Sequence, residues 1–296
     1  MSQDQSPAAD AQEAELRVLR DGIDSVDRQI HQLLNDRARL AQSVAEVKER
    51  YRQGDELPVF YRPEREAQVL RAVMARNEGP LADKTVARLF REVMSVCLAL
   101  EEPLEVVFLG PEGTFTQQAA QKHFGQSAHC RVLSSLEAVF EAVQSSEAHY
   151  AVVPIEVEDA GLIRHTLDLF RRYDLYICGE VELAPAVSSE ATSRCPRFLV
   201  VGRDAIGPSG EDKTSLLLEC RDEAGALHEL LAPFHRRNIS LTRLETRSSG
   251  EHDWQTLFYI DFEGHVSEPQ IGELMGELEQ LDVNVKFLGS YPKAVL

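Results

Sequence analysis

Apolar positions near the start of the chain recur at alternating spacings of four and three, at 19, 23, 26, 30, 33, 37, 40, 44, 47 and 51. This is the period of a helix packed along its length on other helices, and it predicts one helix from about Ala14 to Tyr51. Such a helix is roughly 57 Å long at 1.5 Å per residue. A compact domain of this size does not cover it, so the seam calls for a partner subunit. Residues 1–13 carry neither a basic start nor an apolar stretch and read as a disordered acidic leader rather than a signal peptide.

A second helix is predicted from Pro63, with Glu64 and Glu66 at its positive end, to Gly79-Pro80. A third runs from about Leu81 to Glu102, with Val86, Leu89, Phe90, Val93, Val96, Cys97 and Leu100 on its apolar side. After Pro103 the period changes to α/β alternation. Strands are expected at Leu104–Leu109, Tyr150–Ile155, Leu175–Leu183 and Phe198–Val201, with helices at Gln117–Phe124, Leu136–Val143 and His165–Arg172. Gly202–Lys213 reads as a polar linker. From Thr214 the order is strand, helix, two strands, helix, strand (Leu216–Cys220, Ala226–Arg236, Leu241–Arg247, Leu257–Phe262, Gln270–Leu281, Val283–Leu288), a ferredoxin-like βαββαβ module. The domain boundaries that follow are 1–13, 14–102, 103–202, 203–213 and 214–296.

The 296 residues carry a net charge of −18, which repels a phosphate backbone or an anionic bilayer, so neither nucleic acid nor a membrane is an expected partner. Five scattered cysteines without a Cys-x-x-Cys pair argue against a disulfide framework and a zinc site, and for a reducing cytoplasm. The nine histidines show no metal-ligating spacing. No metal and no cofactor is expected.

Arg37 is the informative oddity, because it occupies the apolar seam, where an unpartnered charge costs several kcal/mol. Lys48, eleven residues on, lies only about 20° round the same face, while Arg20 lies about 100° away and points toward a neighbouring chain. The two interior cations meet either acidic side chains such as Asp24, Asp36 and Glu46, or an anionic ligand. Arg65 and Glu66 open the second helix, and Cys97 and Glu101 stand one turn apart on the third.

Leu19-Arg20-x-x-Ile23-Asp24-x-x-Asp27, Arg37, Lys48 and Arg62-Pro-Glu-Arg65-Glu66 keep the order and spacing of the helical chorismate mutase domain, which this part of the chain resembles, in the form fused at the front of the bacterial bifunctional chorismate mutase/prephenate dehydratases. The resemblance implies that Arg37 and Arg65, with Arg20 of a second chain, hold the two carboxylates of chorismate. It also implies that Lys48 donates to the ether oxygen, Glu66 holds the ring hydroxyl and Cys97 lines the site. Glu101 stands where many relatives have a glutamine facing that oxygen, and as a carboxylate it must be protonated or displaced there.

Phe108-Leu-Gly-Pro-Glu-Gly-Thr-Phe115, His165-Thr-Leu-Asp168 and Cys178-Gly-Glu-Val-Glu-Leu183 resemble the prephenate dehydratase domain. Two departures stand out. Pro154-Ile-Glu156 is followed by Val157-Glu158-Asp159 where the family has Asn-Ser-Thr, and the Thr-Arg-Phe signature reads Pro196-Arg197-Phe198, with Thr192 and Ser193 the nearest hydroxyls. Only 14 residues, Ala184 to Arg197, stand where the family inserts a second lobe, against about 30 for one βαβ unit. A nucleotide loop at Gly110–Gly113 lacks both the Gly-Lys-Ser/Thr end and the dinucleotide fingerprint.

Ala224-Gly-Ala-Leu-His228 and Leu241-Thr-Arg-Leu-Glu245-Thr-Arg247-Ser248 resemble the ACT domain that senses phenylalanine in these enzymes, which implies an effector site of Gly225, Ala226, Leu227, His228, Glu245, Thr246 and Arg247. The expectation is a multidomain, dimeric, cytoplasmic protein: an all-α chorismate mutase domain, a truncated α/β dehydratase-like lobe and a ferredoxin-like ACT domain. Its function would be mutase activity with an inactive dehydratase remnant. The alternatives are an enzyme that is still bifunctional and a non-enzymatic phenylalanine-binding regulator.

Overall fold

A computed structural model describes residues 7–52, 60–157, 161–183, 196–248 and 255–296, which fall into two compact units. Residues 1–6 of the leader, Glu158-Asp159 and the Ala184–Cys195 part of the short connection, with Thr192 and Ser193, lie outside the described residues. No helix among the described residues is long and apolar enough to cross a membrane.

The smaller unit is dominated by α1 (Pro7–Arg50) and includes Phe60 and Leu100–Glu102. The helix begins seven residues before the expected Ala14, because Pro7-Ala-Ala-Asp-Ala-Gln-Glu-Ala14 combines a first-turn proline with strong helix formers. Its apolar seam is uncovered: Leu19, Ile23, Val26, Ile30, Leu33, Leu40, Val44, Val47 and Tyr51 are each 48 to 74% exposed.

The larger unit holds everything else. Helix α2 (Pro63–Ala75) buries Pro63, Ala67, Leu70 and Val73 and stops at Arg76, short of the expected Gly79-Pro80. Helix α3 (Asp83–Glu101) corrects the sequence reading of its faces. Leu89 (56%), Val96 (51%) and Leu100 (49%) are exposed, while Ala87, Arg91, Ser95 and Cys97 are buried. The buried side was obscured because its central residue is an arginine, kept inside by two polar partners described below.

The chain then builds β1 (Glu105–Leu109), α4 (Phe115–Phe124), β2 (His129–Leu133), α5 (Leu136–Gln144), β3 (Tyr150–Val157), β4 (Gly161–Leu162), α6 (Arg164–Arg172), β5 (Tyr176–Glu182) and β6 (Arg197–Gly202). The sheet order is β2-β1-β3-β6-β5, with β4 paired to β3. Strands β2, β1 and β3 run parallel, and β6 is antiparallel to both neighbours. The sequence pattern does not show β2, because His129-Cys-Arg-Val-Leu133 is an edge strand without regular alternation.

The last segment gives β7 (Asp212–Arg221), α7 (Ala226–Arg236), β8 (Leu241–Ser248), β9 (Gln255–Glu263), α8 (Pro269–Leu278) and β10 (Val283–Pro292), antiparallel in the order β10-β7-β9-β8. Strict alternation sorts the two faces. Leu216, Leu218, Phe258, Ile260 and Phe262 pack with Leu230 and Phe234 of α7 and Leu274 and Leu278 of α8. Leu217, Leu257, Tyr259, Leu288 and Tyr291 join the core of the α/β lobe, with Val107, Phe140, Ile177 and Leu199. The two sheets are therefore one packed body. Gly289 of β10 lies so close to β5 that a Cβ there would stand 2.4 Å from the Ile177 carbonyl oxygen.

The residues expected to form a linker are pinned rather than loose: His265 Nε2 meets the Ile206 carbonyl at 3.1 Å, and Arg71 of α2 donates to the Ser209 carbonyl at 3.2 Å and the Glu211 carbonyl at 2.9 Å.

A buried charge network crosses the contact between the sheets. Arg197 of β6 donates from Nε to Glu180 of β5 at 3.0 Å, from Nη1 to Asp261 of β9 at 2.8 Å and from Nη2 to the Tyr291 hydroxyl of β10 at 3.1 Å. Lys213 of β7 reaches Glu180 at 2.7 Å, and Ser215 donates to Asp261 at 2.6 Å. Burial alone would push the guanidinium toward neutrality, but Tyr291, Tyr259, Asp261 and Glu180 outweigh it and hold the proton more firmly than usual. Truncating one member of a buried pair leaves its partner's charge uncompensated. Arg197→Ala is accordingly expected to lower the unfolding free energy by about 3–5 kcal/mol, read as a shifted midpoint in urea titrations.

Candidate functional site

In the smaller unit the seam cations and Glu101 come together. Arg37 and Lys48 are half-buried on α1, and Lys48 Nζ lies 4.9 Å from the centre of the Phe60 ring and 3.5 Å from its carbonyl oxygen. Of the acidic side chains weighed as partners for Arg37, Asp36 is engaged by Arg39 at 2.7 Å and Gln32 at 3.0 Å. Partial burial raises the pKa of Glu101, while Lys48 and Arg37, both within electrostatic reach, pull it back. Arg20 is exposed and pairs with Glu13 at 2.9 Å.

Arg65, Glu66 and Cys97 belong to the larger unit. Arg65 is exposed and Cys97 is buried. The Glu66 side chain is only 14% exposed, and its Oε1 accepts from Arg91 Nε at 2.9 Å, while Arg91 Nη1 donates to the Lys122 carbonyl of α4 at 2.8 Å. Burial raises the Glu66 pKa against the opposing pull of Arg91. Tyr61 and His123 adjoin this pair, with the phenol 3.0 Å from Nε2. Burial, reinforced by Arg91, drives the His123 pKa down to about 3, so a neutral imidazole shares this hydrogen bond with the tyrosine hydroxyl.

Sequence reasoning missed Arg91, Tyr61 and His123. The one available signal was Arg91 at the i+4 position between Ala87 and Ser95, the same kind of interrupted stripe that exposed Arg37.

In the C-terminal module Gly225 caps α7 in the left-handed region, at φ 96°, with open space where a Cβ would stand. Ala226 is half-buried, and Leu227 and His228 are exposed. Glu245 and Arg247 pair across β8/β9 with Tyr259 and Leu257, residues of the face turned to the α/β lobe, whereas Thr246 pairs with Phe258 on the helix-covered face. The expected effector residues are therefore divided. Within a single chain Glu245 and Arg247 look away from the face that α7 covers, because strand alternation sends neighbours to opposite sides. Arg247 instead pairs with Asp168 of α6, and Arg243 with Glu156 of β3.

Among the described residues no group of three or more His, Cys, Asp or Glu side chains is placed to hold a metal ion.

Against this geometry, three family models match in succession: chorismate mutase type II over residues 19–102, prephenate dehydratase over 106–187 and the ACT domain over 214–282. A bifunctional chorismate mutase/prephenate dehydratase of Pseudomonas aeruginosa is 40% identical over 364 aligned positions, covering 97% of this chain and 100% of the relative. That alignment is longer than the 296-residue chain, so the relative carries residues with no counterpart here. The prephenate dehydratase of Streptococcus mutans matches at 28% identity with a TM-score of 0.56, over 64% of this chain and 98% of that one. A prephenate dehydratase from Arthrobacter aurescens in complex with L-Phe shares the fold at 23% identity and a TM-score of 0.56, over 63% and 89% of the two chains.

The His123 environment generates a stability prediction. Its folded pKa, about 3, lies below the ordinary 6.5, so the unfolded chain binds more protons between those values and stability drains as pH falls through that window. His123→Gln, which keeps a hydrogen-bonding side chain but does not titrate, should flatten the loss of stability between about pH 6.5 and about pH 3, measured by denaturant unfolding across that range.

Proposed function

We propose that this chain, which belongs to the bifunctional chorismate mutase/prephenate dehydratase family, converts chorismate to prephenate in the cytoplasm as a homodimer and no longer dehydrates the product. The observation that carries the mutase reading is the cationic pair of α1, Arg37 and Lys48, with a carboxyl group of raised pKa, Glu101, beside it. The reaction is a concerted rearrangement in which an enol-ether bond breaks while a carbon–carbon bond forms. Catalysis needs a chair-like conformer held by its two carboxylates and stabilisation of charge growing on the ether oxygen. No nucleophile takes part.

By similarity Arg37, Arg65 and a second chain's Arg20 hold the carboxylates, Lys48 donates to the ether oxygen, and a protonated Glu101 faces the same atom. Glu66 holds the ring hydroxyl, kept in place by Arg91. The exposed seam of α1 supports the dimer, since an apolar stripe of that length is stable in water only against a second surface.

Loss of the dehydratase is supported by three features of one region. Pro196 replaces the signature hydroxyl, Arg197 has its donors committed to Glu180, Asp261 and Tyr291, and the dehydratase match ends at residue 187. A second reading, an enzyme that is still bifunctional, is favoured by full-length identity to bifunctional relatives. For the C-terminal module we read phenylalanine as the effector, from the ACT match, the left-handed Gly225 and the relative solved with L-Phe.

Purified protein supplied with chorismate should accumulate prephenate without phenylpyruvate, and Lys48→Ala should slow the first step by two to three orders of magnitude, as loss of a charge-stabilising donor does, with its helical circular dichroism intact. Steady phenylpyruvate formation would establish the second reading. Because Glu101 acts in its protonated form, turnover should fall as pH rises through its raised pKa. Glu101→Gln should remove that limb from the rate–pH profile, and an unchanged profile would take Glu101 out of the site.

A further inference from the structure

Glu66 is held by a ring of contacts that starts and ends on α4 of the α/β lobe. Arg91 of α3 donates from Nε to Glu66 at 2.9 Å and from Nη1 to the Lys122 carbonyl at 2.8 Å. On the other side the Tyr61 hydroxyl hydrogen-bonds the Glu66 side chain and stands 3.0 Å from His123 Nε2. Lys122 and His123 are consecutive residues, so both arms rest on the last turn of one helix. The Lys122 carbonyl is among the last four of α4, which have no partner within the helix, and a guanidinium there also meets the negative end of the helix dipole. Tyr61 is only 6% exposed, with its ring 5.4 Å from that of Phe124 and 5.3 Å from that of Tyr150, and it packs in one core with Val106, Phe108 and Phe198 of the lobe.

A tyrosine, a histidine, a glutamate and an arginine in contact have the makings of a catalytic centre, but the cavity beside them measures about 30 Å³, room for about one water. No metabolite fits there. What the cluster does is fix a carboxylate. A glutamate in the first turn of a helix samples several rotamers, and ordering it when substrate arrives costs conformational entropy. Two directed donors order it beforehand, and each donor is itself anchored in the lobe. We propose that Arg91, Tyr61 and His123 are positioning residues for the mutase reaction, and that the α/β lobe serves that reaction by holding Glu66 from two consecutive residues of α4. The proposal rests on the mutase reading above, in which Glu66 holds the ring hydroxyl. It gives the dehydratase-like lobe a task that does not depend on dehydration.

The test is a set of double-mutant cycles on the full chain, read as steady-state conversion of chorismate to prephenate. Tyr61→Phe, which removes the hydroxyl and keeps the packed ring, should lower kcat/KM about three- to tenfold, and Arg91→Met, which removes a charged donor, about ten- to a hundredfold. His123→Leu, which takes one partner from the tyrosine hydroxyl, should cost about two- to fivefold. In a Glu66→Ala background, itself slowed about tenfold or more, all three losses should shrink below about twofold, because the group they position is gone. Where Arg91→Met does not fold, Arg91→Lys, whose amine does not span both partners, should give an intermediate loss in the same cycle. A packing role alone predicts equal losses in both backgrounds. Losses undiminished by Glu66→Ala, or wild-type kcat/KM in both Tyr61→Phe and His123→Leu, overturn the positioning role and leave the mutase reading standing. Glu66→Ala with wild-type kinetics takes Glu66 out of the site and overturns the proposal alone. No prephenate from the wild type overturns the mutase reading and the proposal together.

Discussion

Arg197 is the constraint on which the larger unit depends. A guanidinium placed between two sheets is tolerable only if the surfaces around it supply complementary groups, and three strands do so: β5 and β9 with carboxylates and β10 with a phenol, while Lys213 and Ser215 of β7 bind the same two carboxylates. Apolar burial between the sheets sets how strongly they adhere, but it is nearly indifferent to sliding. A planar cation with directed donors fixes the registration. The arginine of the dehydratase-like signature is thus a fastening between the lobe and the C-terminal module.

That fastening extends to the mutase helices. Gln68 and Arg71 of α2 bind the backbone of Pro208, Ser209 and Glu211, immediately before β7, and Arg91 of α3 binds the backbone of α4. Arg65 and Glu66 therefore sit on a helix attached to both neighbours. A displacement at the base of the C-terminal sheet reaches α2 through directed hydrogen bonds rather than through a slack tether.

The parts of the fold legible in the sequence were those whose periodicity is completed by their own chain. Helix α7 was bounded to the residue, and the βαββαβ order followed from clean alternation. Strand β2 was hidden by its mixed edge composition, and the apolar side of α3 was misread in part: Cys97 is buried as expected, but Leu89, Val96 and Leu100 are exposed while Arg91 lies inside. Among the candidate residues, Arg37 and Lys48 were singled out because local helical spacing exposes a misplaced charge, and Glu101 by its place in the family resemblance. In the larger unit the cluster of Tyr61, Arg91 and His123 was not legible, since it joins positions as many as 62 residues apart and no local period records it.

If a second copy covers the open seam of α1, as proposed above, the behaviour of this chain is tied to its abundance. A helix whose apolar residues remain about half exposed or more gains most of its stability from association, so its order is governed by mass action and not by sequence alone. Dilution then acts on this segment as a denaturant would. The larger unit, closed around its own cores, is exempt. On that reading one polypeptide joins a part closed around its own cores to a part whose structure reports how many copies surround it.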